Sequence, residues 1–163
     1  MGGPGYGQCK MTADSHYFPR LKNDPEPLVA TTERRVRFEE VDVLGMVWHG
    51  RYPSFFEDGR IAFGDRFGLT YFTYMENKVI APVVQMHLDY KLPLRFDNVV
   101  KIETALHWAQ TPRLNFTYTI YQADERIAAT GYTVQLLTDL QGTLQLIMPD
   151  WLADFRNKWR SPL

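Results

Sequence analysis

Residues 52–67 constrain this chain more than any other stretch. Tyr52, Phe55, Phe56, Gly59, Ala62, Phe63 and Phe67 recur at three- and four-residue steps, which places them on one face of a helix. Glu57, Asp58, Asp65 and Arg66 fall mostly elsewhere. Pro53 suits the first helical turn, where its missing N–H costs nothing, and Gly68 is a stop signal. A face with so many aromatic rings needs a broad apolar partner. Gly59 within that face predicts close approach to a sheet.

The remaining chain supplies such a sheet. Val29, Thr31, Thr32, Val36, Phe38 and Val41 predict a long first strand over 29–41. Further strands are expected near 78–92, 98–110, 113–123 and 126–140. Pro93, Asp97-Asn98, Pro112, Asp124 and Gln141-Gly142 punctuate them. Short turns between them favour antiparallel pairing in a meander. Tyr71, Phe72 and Tyr74 read as an aromatic connection. Trp151, Leu152, Phe155 and Trp159 predict a short last helix with Asp150 as its N-cap. The whole reads as an α+β domain over 28–163. Residues 1–27, rich in glycine and closed by Pro25 and Pro27, read as a flexible leader. With 163 residues, 45% of them hydrophobic, the chain can bury one real core.

Composition narrows the function. A net charge of −1 lacks the basic footprint of a nucleic-acid binder. No apolar run approaches the roughly 20 residues that span a bilayer, and without a basic n-region followed by an apolar stretch no signal peptide is expected. A cytoplasmic location is expected. The single cysteine, Cys9, cannot form an internal disulfide. His16, His49, His87 and His107 show no ligand spacing, so neither a metal nor a cofactor is expected. No phosphate loop or serine elbow is present.

The chemistry is concentrated between Arg35 and Arg60. Asp42 to Tyr52 reads D-x-x-G-x-V-x-H-x-x-Y, with Gly45 and His49 at the fixed positions. Phe55, Glu57 and Arg60 then complete F-x-E-x-x-R. This pattern resembles the 4-hydroxybenzoyl-CoA thioesterase-like branch of hotdog acyl-CoA thioesterases, and its Tol-Pal-associated members in particular. Met148-Pro149-Asp150-Trp151-Leu152 is similar to the closing helix of that group.

The resemblance implies a hotdog fold, a long antiparallel sheet wrapped around a central helix. It implies hydrolysis of acyl-CoA to a free acid and CoA, with Asp42 as general base or nucleophile. The helix N-terminus at Gly50, Arg51 and Tyr52 would polarise the thioester carbonyl. His49 would orient the thioester, a water or Asp42. Tyr52, Phe56, Glu57 and Arg60 would line the acyl pocket. The site would sit across an interface in a homodimer or homotetramer.

The residues by themselves allow plainer roles. A lone aspartate in a loop usually caps or turns the chain. His49 can simply hold a turn, Tyr52 can staple the helix to the core, and Glu57 can pair with Arg60 one turn away. Arg51 departs from the group, where many members carry asparagine, and this puts the acyl group in question. Lys91, Arg95 and Arg113 are candidates for CoA phosphates. The alternatives are an acyl-carrier-protein thioesterase, a hotdog hydratase or dehydratase, and a non-catalytic acyl-thioester binding module. The aspartate-first motif speaks against a dehydratase, and intact Asp42 and His49 speak against a mere binder.

Overall fold

The computed structural model describes residues 17–161, so Cys9, His16 and most of the expected leader lie outside the described residues. Five antiparallel strands form one sheet in the order β1-β4-β5-β6-β3. They are β1 (Leu28–Arg35), β3 (Val83–Tyr90), β4 (Val99–His107), β5 (Arg113–Tyr121) and β6 (Ile127–Leu136). A separate ribbon pairs β2 (Val79–Ile80) with β7 (Thr138–Asp139). The long helix α1 (Tyr52–Phe67) lies on one face of the sheet, which is the hotdog arrangement.

The aromatic face of α1 forms the centre of the core. Phe55, Phe56 and Phe63 are fully buried, and Phe56 stacks on Tyr118 of β5 with ring centroids 4.1 Å apart. Burying each such side chain contributes about 1.5–3 kcal/mol. Gly59 makes the close approach expected of it: a Cβ there would lie 2.2 Å from Thr104 Oγ1 and 3.0 Å from Ile102 Cγ2 on β4. Gly68 ends the helix with φ +82°.

Several elements depart from the sequence expectation. The first strand stops at Arg35, and Phe38–Glu40 forms a 3-10 turn instead. Pro82 has no N–H, and the predicted strand 78–92 divides there into β2 and β3. Its partner divides at the same level, into β6 and β7. The aromatic connection is a helix, α2 (Tyr71–Glu76), capped by Thr70 Oγ1 accepting from Thr73 N–H at 3.3 Å. Asp150 is not the N-cap of the last helix, α3 (Asp150–Arg160). Pro149 takes that position, and Asp150 adds charge to the first turn.

The meander also fails at one step. β4, β5 and β6 follow it, but β3 pairs with β6 at the far edge and leaves β4 to pair with β1 and β5. Residues 91–98 must therefore cross the end of the sheet, and this crossing later supports the site.

Helix α3 buries Leu152, Trp159 and Arg156. Arg156 donates from Nη2 to the carbonyls of Thr111 and Arg113, at 2.9 and 3.0 Å. Burial lowers its pKa to about 10, with nearby Arg113 adding to the effect. Of the expected leader, residues 17–27 are described and make contacts. Tyr17 donates to Asp89 Oδ2 at 2.5 Å, Phe18 packs against His107 and Tyr132, and Trp159 Nε1 donates to the Glu26 carbonyl at 2.8 Å. Among the described residues, no helix is long and apolar enough to cross a membrane.

Replacing Gly59 by valine forces α1 off β4. The expected cost is about 1–3 kcal/mol from overpacking, read as a lower urea midpoint. An unchanged midpoint would show that α1 does not need this contact.

Candidate active site

Asp42 sits in a hairpin between Glu40 and Trp48. Trp48 N–H donates to the Glu40 carbonyl at 2.9 Å, Val41 and Val47 form a bridge, and Asp42 N–H donates to the Met46 carbonyl at 2.8 Å. The tip closes with Gly45 N–H on the Asp42 carbonyl at 2.9 Å, and Gly45 has φ +73°, a conformation that favours glycine. Asp42 Oδ1 accepts from the N–H groups of Leu44 and Met46, at 2.9 and 3.3 Å. The aspartate thus does hold its own turn, but with one oxygen. Oδ2 accepts no hydrogen bond from the described residues.

Two contacts pin this hairpin. The crossing segment takes one side, where Val47 N–H donates to the Leu94 carbonyl at 2.8 Å and Met46 bridges Arg95. On the other side is Glu40, which is only 5% exposed. Its carboxylate accepts from Arg34 of β1 and, at 2.8 Å, from Arg37 N–H. Arg34 also reaches Asp58 of α1 at 2.7 Å and lies 4.1 Å over the Phe55 ring. Arg34 and Glu40 were not singled out from the sequence. Their only sequence signal is a polar pair six residues apart, set among other charged residues.

The hairpin runs directly into the start of α1. Residues His49–Arg51 form a 3-10 turn that continues into the helix, and no side chain caps it. Pro53 has no N–H to offer. Arg51 N–H donates to the Trp48 carbonyl at 2.8 Å, whereas the N–H groups of His49 and Gly50 find no backbone acceptor among the described residues. Open amides and the positive end of the helix dipole together favour an oxyanion or a polarised carbonyl. The Trp48 ring lies against Gly50, where a Cβ would fall 2.2 Å from a ring carbon.

The other expected site residues separate into those that gather here and those that do not. Tyr52 is a staple: it is buried in the core with Leu94, stacks on Phe55 and meets Tyr90 edge-on at 4.9 Å. Burial raises its phenol pKa. His49 takes part through its carbonyl, which accepts from Tyr90 Oη at 2.8 Å, while its exposed ring rests against Trp48. Arg51 is exposed.

Glu57 and Arg60 do not form an ion pair. Arg60 Nη1 instead donates to Tyr118 Oη at 3.1 Å, and Glu57 and Arg60 both line a groove of about 780 Å³. Phe56 is fully buried and does not line this groove. Lys91 and Arg95 are exposed at the Tyr90 end of the sheet, beside the hairpin. Arg113 is at the opposite end: it pairs with Leu136, whereas Tyr90 pairs with Ala129. The intervening β5 is about 27 Å long at roughly 3.3 Å per residue. Within one chain, Arg113 therefore does not join the other two cations. Among the described residues, no group of three or more His, Cys, Asp or Glu could hold a metal ion.

Known proteins resemble this chain in sequence and fold. The family described as the thioesterase-like superfamily matches residues 36–155. YneP of Bacillus subtilis is 25% identical over 127 residues, covering 76% of this chain and 92% of YneP. The acyl-CoA thioester hydrolase YbgC of Escherichia coli O157:H7 is 28% identical over 93 residues, covering 57% of this chain and 69% of YbgC. Among solved structures, the DHNA-CoA thioesterase of Staphylococcus aureus superimposes with a TM-score of 0.72 at 24% identity, covering 79% of this chain and 89% of that one.

Arg34→Met leaves the buried Glu40 carboxylate without its cation. The expected loss is about 3 kcal/mol, together with faster amide exchange at Trp48. Wild-type stability and exchange would remove Arg34 from the support of the hairpin.

Proposed function

The chain belongs to the thioesterase-like superfamily, and from that premise we propose that it hydrolyses acyl-CoA thioesters to a free acid and CoA, with Asp42 as the reacting carboxylate. The observation that carries this reading is the division of labour within Asp42. One oxygen holds the turn, and the other is left for chemistry. The turn that begins α1 follows immediately, with open amides at His49 and Gly50.

The reaction needs an attacking oxygen and a home for the charge that develops on the carbonyl oxygen. Asp42 Oδ2 supplies the first by taking a proton from an attacking water, or by attacking the carbonyl carbon itself. In the first case the tetrahedral intermediate collapses, the C–S bond breaks and the thiolate of CoA takes up a proton. In the second, Oδ2 displaces the thiolate of CoA, which takes up a proton, and water then cleaves the mixed anhydride to the free acid and Asp42. The amides of His49 and Gly50 serve the oxyanion in both. Lys91 and Arg95 stand where exposed cations can meet the phosphates of CoA. A carrier-protein thioester presents the same bond and is the second substrate to assay.

We further propose that the active form is at least a homodimer and works in the cytoplasm. β3 is an edge strand whose outward side carries no partner strand, and Val83, Val84, Met86 and Tyr90 on it are exposed. An unpaired edge of eight residues, with exposed Val83, Val84 and Met86 interleaved with Gln85 and His87, is the kind that proteins cover. Sedimentation should give the mass of two chains or four. A monomer at all concentrations would remove the dimer from the proposal.

Asp42→Asn should keep the fold and lower kcat by about a hundredfold or more, measured by thiol release from acyl-CoA. Turnover at the parent rate would overturn the assignment. Single turnover in ¹⁸O water tests the anhydride route, because label enters Asp42 only when water cleaves an anhydride at the aspartyl carbon.

A further inference from the structure

Tyr90 closes β3 and reaches from the sheet to the start of α1. Its backbone is firmly held. Tyr90 pairs with Ala129 of β6, and the next two amides, of Lys91 and Leu92, both donate to the Ala128 carbonyl, at 2.9 and 3.0 Å. Its ring meets the buried Tyr52 ring edge-on at 4.9 Å. The hydroxyl then donates to the His49 carbonyl at 2.8 Å. In an α-helix that carbonyl would accept from the residue four positions on, which here is Pro53 and has no N–H. The sheet supplies the donor that the proline withholds. Desolvation raises the Tyr90 phenol pKa above the ordinary tyrosine value, so the hydroxyl keeps its proton at neutral pH.

The consequence falls on the next amide. The peptide unit between His49 and Gly50 is planar and trans, so its C=O and N–H point in opposite directions. A donor that fixes the His49 carbonyl therefore fixes the direction of the Gly50 N–H. That N–H is one of the two open amides ahead of α1. Unheld, the unit would turn readily, because glycine restricts its own backbone least. Yet position 50 must be glycine, since a Cβ would fall 2.2 Å from a Trp48 ring carbon. The bond to the carbonyl also draws electron density from the amide nitrogen. This strengthens the next hydrogen bond in the chain by about 10–30%.

We propose that Tyr90 is a positioning residue for thioester hydrolysis: through the His49 carbonyl it aims and strengthens the Gly50 N–H that receives the oxyanion. This rests on the thioesterase reading above. The hydroxyl acts at one remove from the reacting atoms. Its effect therefore grows as charge develops on the carbonyl oxygen, and it appears in kcat rather than in substrate binding.

The test is Tyr90→Phe, which keeps the ring against Tyr52 and removes only the hydroxyl. Thiol release is followed with acetyl-, butyryl-, dodecanoyl- and benzoyl-CoA. For the substrates that the parent hydrolyses, kcat should fall about tenfold and KM should stay within about twofold. Loss of an oxyanion donor itself would cost about a hundredfold or more. Two inhibitors give a second readout. CoA with a trifluoroacetonyl group on sulfur hydrates to a tetrahedral species, whereas acetonyl-CoA keeps a planar ketone. Tyr90→Phe should weaken the first about tenfold and the second by less than about twofold. Tyr90→Leu, read on the same ratios, serves if the first variant does not fold. A parent-like kcat overturns the role of Tyr90. So does a loss confined to KM, or one that weakens both inhibitors alike, since the hydroxyl then serves only the fold. Absence of thiol release by the parent across the whole series overturns the thioesterase reading itself.

Discussion

The site depends on a buried ion pair between Arg34 and Glu40. Taking two charges out of water costs several kcal/mol for each, and their attraction alone does not reliably offset that. Here the offset is shared. Glu40 also accepts the Arg37 amide, and Arg34 also meets Asp58 and the Phe55 ring. Every one of these partners belongs to an element that must be aligned for the site to exist. Arg34 is in β1, Glu40 begins the hairpin, and Asp58 and Phe55 are in α1. The cluster therefore contributes position more than net stability. Losing Arg34 or Glu40 leaves the other charge in a place that water reaches poorly.

The second constraint is topological. Because β3 goes to the far edge, the chain must cross the sheet end before β4 can begin. Leu94, fully buried in that crossing, offers its carbonyl to Val47 and lies in the same buried core as Tyr52. One residue thus joins the hairpin to the core that holds the start of α1. The hairpin needs no strand of its own in the sheet, because its backbone groups are satisfied from the crossing on one side and from Glu40 on the other.

Much of this was legible in the sequence, for identifiable reasons. The bounds of α1 were readable because Phe55, Phe56 and Phe63 recur at helical spacing and Gly68 stops the run. Gly59 could be read as a contact because a helix gains nothing from a glycine on its apolar face unless something comes near. Other features left no local trace. The six residues of α2 are too few to show a period, and the Thr70 cap was obscured by its aromatic neighbours. The path of β3 was missed because pairing with the next strand in sequence is the ordinary expectation. Glu40 looked like one more surface charge between Glu39 and Val41. Phe56 and Tyr52 show a limit of another kind: spacing put them on the helix face that packs inward, but could not separate core from pocket wall.

Asp42 itself was visible by its spacing, but spacing did not give its state. The turn that makes an aspartate unremarkable is also what makes this one useful. A free loop carboxylate would sample many orientations and lose rotamer entropy on each encounter with substrate. Two amides holding Oδ1 remove that freedom in advance, so Oδ2 is presented in one direction. The same economy applies to α1. A helix start with a serine or aspartate cap would be more stable by about 1 kcal/mol, yet the cap would occupy the amides that the proposed reaction needs. Arg51 at the cap position, with no side-chain bond to the helix, leaves them open. The long aromatic face of α1 then has two consequences at once. It anchors the helix strongly enough to do without the cap, and the adjoining face, with Glu57 and Arg60, lines the groove.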